Sequence, residues 1–301
     1  MPYVVRYIEL HEKGELTRRI DSLNEILPEC SLCPRRCGVN RIQGELGYCK
    51  AGSELMVSSV SPHFGEEAPL VGYRGSGTIF LTHCNLRCVF CQNDDISHGG
   101  RGEKASLSQM ASYMIRLKEL GCHNINFVTP THYTPQIVAS LPEAIGLGLN
   151  LPLVYNCSGY ESLEVIKLLD GIIDIYMPDA KYAGEEPARR FSNAPDYPHV
   201  LREVLKEMHR QVGDLQMDQN GIAQRGLLIR HLVMPEDLAG TEDLMKFIVG
   251  EISRDSYVNI MQQYRPQHKS FDYPELRRRI THGEYLDAVK AARRFGLHRG
   301  F

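Results

Sequence analysis

The sequence contains no tryptophan, and aromatic residues make up only 8% of its 301 residues. It lacks an apolar stretch of the ~20 residues that a membrane helix requires. Its first residues, MPYVVRYIELHEKGEL, carry charges throughout and lack the apolar segment of a secretory leader. A formal net charge of −3 argues against a nucleic-acid surface, so we interpret the basic run at residues 277–279 as a solvated helix face. These absences predict a cytoplasmic protein that binds neither membranes nor nucleic acid.

Cysteine, in contrast, is plentiful. Nine cysteines without a secretory leader indicate a reducing compartment and metal ligation rather than disulfide bonds. The apolar content of 43% and the charged content of 24% are typical of a globular protein. The length of 301 residues gives room for one large α/β domain with a smaller attachment.

The most informative stretch covers residues 78–93, TIFLTHCNLRCVFCQN. Its apolar start predicts a buried strand, which delivers Cys84, Cys88 and Cys91 into a loop with the spacing C-x3-C-x2-C. Three close thiolates are soft ligands for iron or zinc. A closed zinc site needs four protein ligands, whereas three cysteines on a cubane cluster leave one iron free to bind another molecule.

A second group of cysteines precedes this motif in the segment CSLCPRRCGVNRIQGELGYCKAG. Four cysteines between Gly- and Pro-containing turns can complete a tetrahedral site without other ligands, and they are Cys30, Cys33, Cys37 and Cys49. The segment therefore predicts a second metal site. Both structural zinc and an auxiliary iron–sulfur cluster that passes electrons inward remain open for it.

The pattern C-x3-C-x-(aromatic)-C, with Phe90 as the aromatic residue, resembles the signature of the radical S-adenosylmethionine (SAM) superfamily. In that family the free iron chelates SAM, and an electron from the reduced cluster breaks the sulfonium C–S bond. The 5′-deoxyadenosyl radical so formed abstracts a hydrogen atom from the substrate. The resemblance implies an oxidoreductase with a [4Fe-4S] cluster, SAM and an electron donor such as a flavodoxin or ferredoxin.

The extension CQND, which contains Asn93, resembles the pyruvate formate-lyase activating enzyme-like branch of this family. This resemblance implies a protein substrate, namely a glycyl-radical enzyme. Two alternatives stay open at this point. The same chemistry can act on a small molecule or a peptide, and the cysteines can instead belong to a non-catalytic zinc-binding scaffold.

After the cysteine motif the sequence predicts a regular alternation of strands and helices. The strands are apolar nearly throughout, which indicates burial on both faces and a parallel sheet with helices outside. They are predicted at residues 79–81, 125–128, 151–155, 172–177, 226–233 and 257–261. Six such units predict a partial (β/α)6 TIM-like barrel over residues 71–301, preceded by a lead-in over residues 1–70 that carries the second metal site. Residues 53–77, which span the boundary between the two, are predicted to be a connection that closes over the bottom or side of the barrel.

Active groups in such barrels gather at the carboxyl ends of the strands, and polar residues do follow several predicted strands. After the second strand, Thr129, Thr131 and His132 offer hydrogen-bond acceptors to the SAM ammonium, in place of the Gly-Gly-Glu-like segment usual in the family. His132 can alternatively cap the helix that follows. After the third strand, Asn156 and Ser158 lie in a turn that resembles the Asp-Thr-Asn-Gly turn of the activating enzymes.

The fourth strand ends in MPDAK, which resembles Met-Leu-Asp-Leu-Lys of the activating enzymes. Asp179 and Lys181 are two residues apart on a strand, so we expect both side chains to line the cavity, either at the SAM carboxylate or as an ordinary ion pair. In the activating enzymes these turns also bind a monovalent cation beside SAM. Asp179 and Met177 match that cation site, whereas Asn156 replaces an aspartate of it, which lowers its negative charge. Arg230 lies in LLIRHLVMP, which resembles the activator strand whose arginine approaches SAM.

Overall fold

The structure is a computed structural model that describes residues 3–301. The chain opens with helices α1 (Arg6–Glu12) and α2 (Glu15–Asn24). Tyr7 ties this lead-in to the rest of the protein, because its hydroxyl donates a hydrogen bond to the Leu151 carbonyl at 2.9 Å. The cysteine-rich segment follows as loops and two single turns of 3₁₀ helix, Leu27–Glu29 and Arg41–Gln43.

In residues 3–301 nine strands form the sheet, and six of them run parallel. The parallel strands are β2 (Ser76–Leu81), β4 (Ile125–Val128), β5 (Leu153–Cys157), β6 (Ile175–Pro178), β8 (Ala223–Leu232) and β9 (Tyr257–Met261), in this spatial order. These are the six predicted strands, and the bounds of β4 and β9 agree with the prediction to the residue. The curved parallel sheet confirms the expected partial TIM-like barrel.

Helices connect the strands, and their first residues follow from capping chemistry. The helices after β2 are α4 (Asp94–Ser97), α5 (Leu107–Glu119), α6 (Thr134–Gly146), α7 (Leu163–Leu168), α8 (Glu185–Ser192), α9 (Tyr197–Val212), α10 (Thr241–Phe247) and α11 (His282–Phe295). Ser106 caps α5 as predicted, since its hydroxyl accepts the Gln109 amide while the Gln109 side chain bonds back to the Ser106 amide. Among residues 3–301 no helix combines the length and the apolar character needed to cross a membrane.

The connection predicted at residues 53–77 contains a strand, which is a correction to the sequence analysis. Strand β1 (Leu55–His63) pairs antiparallel with β2, and the short β3 (Glu103–Ala105) pairs with β1 at the sheet edge. Three serines and a proline in β1 lower its strand propensity, which is why the sequence did not reveal it. The predicted domain boundary near residue 70 therefore lies between two strands that pair with each other. Strand β7 (Gln216–Met217), a short antiparallel neighbour of β8, was also missed.

The short helix α3 (Ala68–Val71) closes the floor of the barrel, as expected for this connection. Leu70 is fully buried in an inner cluster with Val154, Ile175, Met177 and Leu228. Since successive side chains on a strand point to opposite faces, residues two positions further along these strands also point inward. The floor of the barrel is thus apolar, and the polar strand-end residues lie in the layer above it.

A buried carboxyl group joins the outer face of β5 to the turn after β4. Glu161 is 2% exposed and accepts hydrogen bonds from the Thr131 hydroxyl at 2.9 Å and the Tyr155 hydroxyl at 3.1 Å. Burial raises the pKa of this carboxyl to about 7, although the hydrogen bonds partly oppose the shift. The folded protein therefore binds a proton at Glu161 over a pH range in which the unfolded chain does not.

Replacing Leu70 with alanine should destabilise the barrel floor. Removing a fully buried leucine side chain leaves a cavity, and such changes cost about 2–5 kcal/mol. Urea unfolding followed by circular dichroism should show this loss, whereas Leu107→Ala, at a side chain that is 41% exposed, should change the stability by about 0.5 kcal/mol or less. Equal effects of the two changes would contradict the assigned role of α3.

The carboxyl group of Glu161 should make the stability depend on pH. Because its pKa is higher in the folded protein than in the unfolded chain, the group contributes its full stabilisation at pH values below the unfolded pKa. This contribution is lost as the pH rises through about 7. The stability advantage of the wild type over Glu161→Gln should therefore shrink by about 2 kcal/mol between pH 5 and pH 8. If the difference in unfolding free energy between the two proteins is the same at pH 5 and at pH 8, the carboxyl of folded Glu161 is ionised at both pH values. That result would contradict the raised pKa.

Candidate active site

The carboxyl ends of the parallel strands surround a cavity of about 240 Å³ that opens to solvent. The three cysteines of the C-x3-C-x2-C motif line it. Eight of the ten residues predicted to bind the cofactor line it as well: Phe90, Asn93, Thr129, Asn156, Ser158, Asp179, Lys181 and Arg230. Residues that are up to 146 positions apart in the sequence thus meet in one place, because parallel strands end on the same edge of the sheet.

Each of the three cysteine sulfurs has a polar neighbour. The Leu86 amide donates to Cys84 Sγ at 3.4 Å, and the Ser192 hydroxyl donates to Cys88 Sγ at 3.0 Å. Cys91 Sγ lies 3.0 Å from the hydroxyl of Ser97. Hydrogen bonds to the sulfurs are one of the means by which proteins adjust the reduction potential of an iron–sulfur cluster.

The cysteine loop fits a cubane cluster better than a single metal ion. Burial raises the pKa of Cys84 to about 12 and raises the pKa of Cys88 as well, so these thiols need a bound cation to ionise. Three protein thiolates are one fewer than the four ligands of a closed single-metal site. The donor set, three soft sulfurs without a carboxylate, suits iron–sulfur ligation.

Asp179 lies between two cationic side chains at the edge of the cavity. Its Oδ2 atom accepts a hydrogen bond from Lys181 Nζ at 2.7 Å, and its Oδ1 atom accepts one from Arg230 Nε at 2.8 Å. Arg230 Nη2 also donates to Asn156 Oδ1 at 2.8 Å. Asp179 and Lys181 share the inward face, as the sequence predicted.

The charges in this group determine its protonation. Burial alone would raise the pKa of Asp179, but the charges of Arg230 and Lys181 outweigh it and hold the pKa below its usual range. Burial likewise acts to lower the pKa of Lys181, and the Asp179 carboxylate reverses that effect. All three groups are therefore charged at neutral pH. Removing one partner from such a buried group typically costs about 3–5 kcal/mol.

Two glutamates approach Arg230 from the segment that precedes α3. Glu66 Oε2 lies 3.4 Å from Arg230 Nη1, and Glu67 Oε1 lies 3.9 Å from Arg230 Nε. Glu67 also accepts a hydrogen bond from the Asn259 side chain at 2.9 Å. Burial raises the pKa of Glu66 to about 7 against the opposing charge of Arg230. The sequence did not reveal these residues, because adjacent acids in a Gly- and Pro-rich connection usually face solvent.

Tyr197 is a second residue that sequence reasoning missed. Its hydroxyl, at the start of α9, lies 2.9 Å from the Ser158 carbonyl and 2.7 Å from the Asp179 carbonyl. It accepts a hydrogen bond from the Lys181 amide at 3.0 Å. Tyr197 thereby fixes the turns after β5 and β6 relative to each other. The sequence contains 15 tyrosines, and nothing in it distinguishes Tyr197 from the other 14.

The residues after β4 divide into two groups. Thr129 lines the cavity with a positive φ of 60°, in the left-handed region that threonine rarely adopts. Thr131 instead bonds to Glu161, and His132 Nε2 lies 2.7 Å from the Thr82 carbonyl. Burial lowers the pKa of His132 to about 3, so the ring is neutral. Thr131 and His132 do not line the cavity, and the structure gives no support to their predicted contacts with SAM.

The four-cysteine segment packs directly beside the cysteine loop. Arg35, which lies between Cys33 and Cys37, donates hydrogen bonds to the carbonyls of Asn85 and Ser192 at 3.1 and 2.9 Å. Its guanidinium also stacks on Tyr48, 3.9 Å from the ring centroid. The segment is therefore attached to the same residues that surround Cys88.

Within this segment the thiols interact but do not converge. The Tyr48 amide donates to Cys37 Sγ at 3.3 Å. Burial, together with the neighbouring thiols, raises the pKa of Cys33 and Cys49. As in the cysteine loop, no three side chains here are placed around a single point within residues 3–301. A second metal site at Cys30, Cys33, Cys37 and Cys49 stays a prediction, as does the choice between zinc and iron.

Comparisons with known proteins agree with this geometry. The family model described as the radical SAM superfamily matches residues 78–248. An uncharacterised protein of Methanocaldococcus jannaschii is 33% identical over 298 residues, which cover 96% of this chain and 82% of that protein. Pyruvate formate-lyase-activating enzymes of Listeria monocytogenes and Listeria innocua are 25% identical over 182 residues, which cover 56% of this chain and 66% of those enzymes.

Among solved structures, that of TYW1 with a lysine-pyruvate adduct bound aligns with a TM-score of 0.44 and 11% identity, over 72% of this chain and 73% of that chain. The matched family region contains most of β2, the three cysteines and the strand ends of β4, β5, β6 and β8. Members of this family use a [4Fe-4S] cluster and SAM. The chain belongs to the radical SAM superfamily.

Proposed function

We propose that this protein is an activase that uses SAM to install a glycyl radical on a partner protein. When bound, the cluster and SAM supply a 5′-deoxyadenosyl radical that abstracts a hydrogen atom. The observation that carries the proposal is the clustering of the activase-like turns, NCSGY and MPDAK, with Arg230 around the cysteine loop. The similarity to the Listeria activating enzymes supports it.

We propose that the strand-end residues bind the carboxylate and ammonium groups of SAM. Lys181 and Arg230 keep donors directed into the cavity, so they would bind the SAM carboxylate. The neutral Asn156 and Ser158 offer oxygen acceptors to the ammonium. Phe90, which is 5% exposed, packs edge-on against Tyr182 and Tyr264 and keeps water from the inner side of the loop.

Amide side chains at the mouth of the cavity favour a peptide as substrate. Gln92 and Gln263 are both exposed lining residues, and Gln92 Nε2 donates to the Gln263 carbonyl at 3.2 Å. An amide side chain can donate to and accept from a peptide backbone at the same time. A glycine-containing loop, which carries no side chain at the reacting carbon, fits an opening of this kind.

The electron donor would approach the opposite side of the cysteine loop. A second surface pocket, which Val89 of the cysteine loop also lines, contains Arg87, Arg190 and Lys269 together with His98 and His268. A cluster of cations steers an acidic protein, so the surface fits a flavodoxin or ferredoxin. All nine cysteines, which lie within the described residues, are unpaired, and we therefore place the protein in the reducing cytoplasm.

Replacing Cys88 with alanine should abolish cluster binding and SAM cleavage, because the buried loop would keep only two thiolates. Iron content and the formation of 5′-deoxyadenosine with dithionite measure the two effects after anaerobic reconstitution. Cys122→Ala, at a buried cysteine outside the cavity, is the matched control and should keep both. A Cys88→Ala protein that still cleaves SAM would overturn the ligand assignment.

Mixing the reconstituted protein with SAM, reductant and a candidate glycyl-radical enzyme should produce a doublet electron paramagnetic resonance signal on the partner. The doublet arises because the unpaired electron couples to the remaining hydrogen of the glycyl α-carbon. A partner whose glycine is replaced by alanine serves as control and should give no signal. Intact SAM cleavage without a doublet on any genomically neighbouring partner would favour a small-molecule or peptide substrate.

A further inference from the structure

The resemblance to the activating enzymes implies a monovalent cation at the turns after β5 and β6, where Asp179 and Met177 match the cation site and Asn156 replaces an aspartate. Two of these residues, Asn156 and Asp179, have side-chain oxygens that point into the cavity. Their side-chain oxygens already accept hydrogen bonds from the cationic side chains of Arg230 and Lys181. Arg230 reaches Asn156 Oδ1 and Asp179 Oδ1, each at 2.8 Å, and Lys181 reaches Asp179 Oδ2 at 2.7 Å. A metal ion bound to these oxygens would lie close to the positive charges of Arg230 and Lys181, which oppose its binding, so the residues present do not fit it.

The guanidinium of Arg230 is also fixed from below. Glu66 lies 3.4 Å from Nη1 and Glu67 lies 3.9 Å from Nε, and the Arg230 side chain is 17% exposed. A guanidinium carries five N–H donors, and the three directed to Asp179, Asn156 and Glu66 leave two for a ligand in the cavity. Arg230 is thus held in one position and keeps two N–H donors for a ligand.

The charge of the group is close to balance without an added ion. Arg230 and Lys181 contribute two positive charges, which face the carboxylates of Asp179 and Glu67 and the partly protonated Glu66. An aspartate at position 156 would add one more negative charge, and the neutral Asn156 avoids it. The neutral Asn156 therefore removes a negative charge that an added cation would otherwise balance.

We propose that the Arg230 guanidinium takes the place of the monovalent cation, so that SAM binds to this protein independently of potassium and sodium. The inference rests on the SAM site proposed above. In this arrangement the positive charge beside the SAM carboxylate is covalently attached to β8. The cation that other activating enzymes take from solution is then not required.

The test measures SAM binding to the reconstituted holoprotein, without reductant, by equilibrium dialysis. The dissociation constant is compared at equal ionic strength in potassium, sodium and tetramethylammonium chloride. We expect the three values to agree within about twofold, and we expect rubidium added to the dialysis not to be retained by the protein. SAM affinity that falls about tenfold or more in tetramethylammonium would overturn the inference, while SAM binding as such would still stand.

Two variants separate the role of Arg230 from general damage. Arg230→Met combined with Asn156→Asp restores the acidic site, and its SAM affinity should become dependent on potassium, rising about tenfold or more from tetramethylammonium to potassium. Arg225→Met, on the same strand but bonded to the Gln211 carbonyl outside the cavity, is the control and should bind SAM as the wild type does.

Arg230→Met alone should bind SAM about tenfold or more weakly than the wild type in tetramethylammonium, at unchanged cluster content. Unchanged affinity in that salt would show that Arg230 does not supply the charge, and it would overturn the inference. If the double variant does not fold, the comparison of salts on the wild type decides alone. Failure of the wild type to bind SAM in every salt would overturn the proposed SAM site and the inference with it.

Discussion

The carboxylate of Asp179 is the group on which the arrangement of the cavity depends. It pairs with Lys181 on its own strand end and with Arg230 on the neighbouring β8, at 2.7 and 2.8 Å. A carboxylate buried to this degree is stable only if cations and hydrogen bonds compensate for the lost hydration. The pairing therefore fixes the ends of β6 and β8 relative to each other and keeps two cationic side chains directed into the cavity.

Residues below and around Asp179, Lys181 and Arg230 stabilise this charged group. The apolar floor formed by Leu70, Val154 and Met177 excludes water from beneath, which strengthens the electrostatic interactions above it. Tyr197 holds the two turns that carry Ser158 and Asp179. The cysteine loop closes the remaining side, where Ser192 contacts Cys88. The three cysteines and the strand-end residues proposed to bind SAM are consequently placed by one connected set of contacts.

The lead-in segment takes part in the same connected set of contacts. Arg35 bonds to carbonyls on both sides of Cys88, and β1 extends the sheet beside β2. A change at the four-cysteine segment would be transmitted directly to the cysteine loop. A metal at the four cysteines, which the sequence predicts, would stabilise this segment, because a short loop-rich segment has little apolar core of its own.

The sequence alone determined the six parallel strands, the three-cysteine loop and most of the strand-end residues, because these depend on local patterns. Apolar runs identify strands, cysteine spacing identifies the candidate ligands, and the i, i+2 rule puts Asp179 and Lys181 on one face. Only the tertiary structure decided that β1 joins the sheet, that Thr131 and His132 turn away from the cavity, and that Glu66, Glu67 and Tyr197 reach into the site. Those contacts join residues that are distant in the chain, and no local pattern encodes which distant partner will compensate a buried charge.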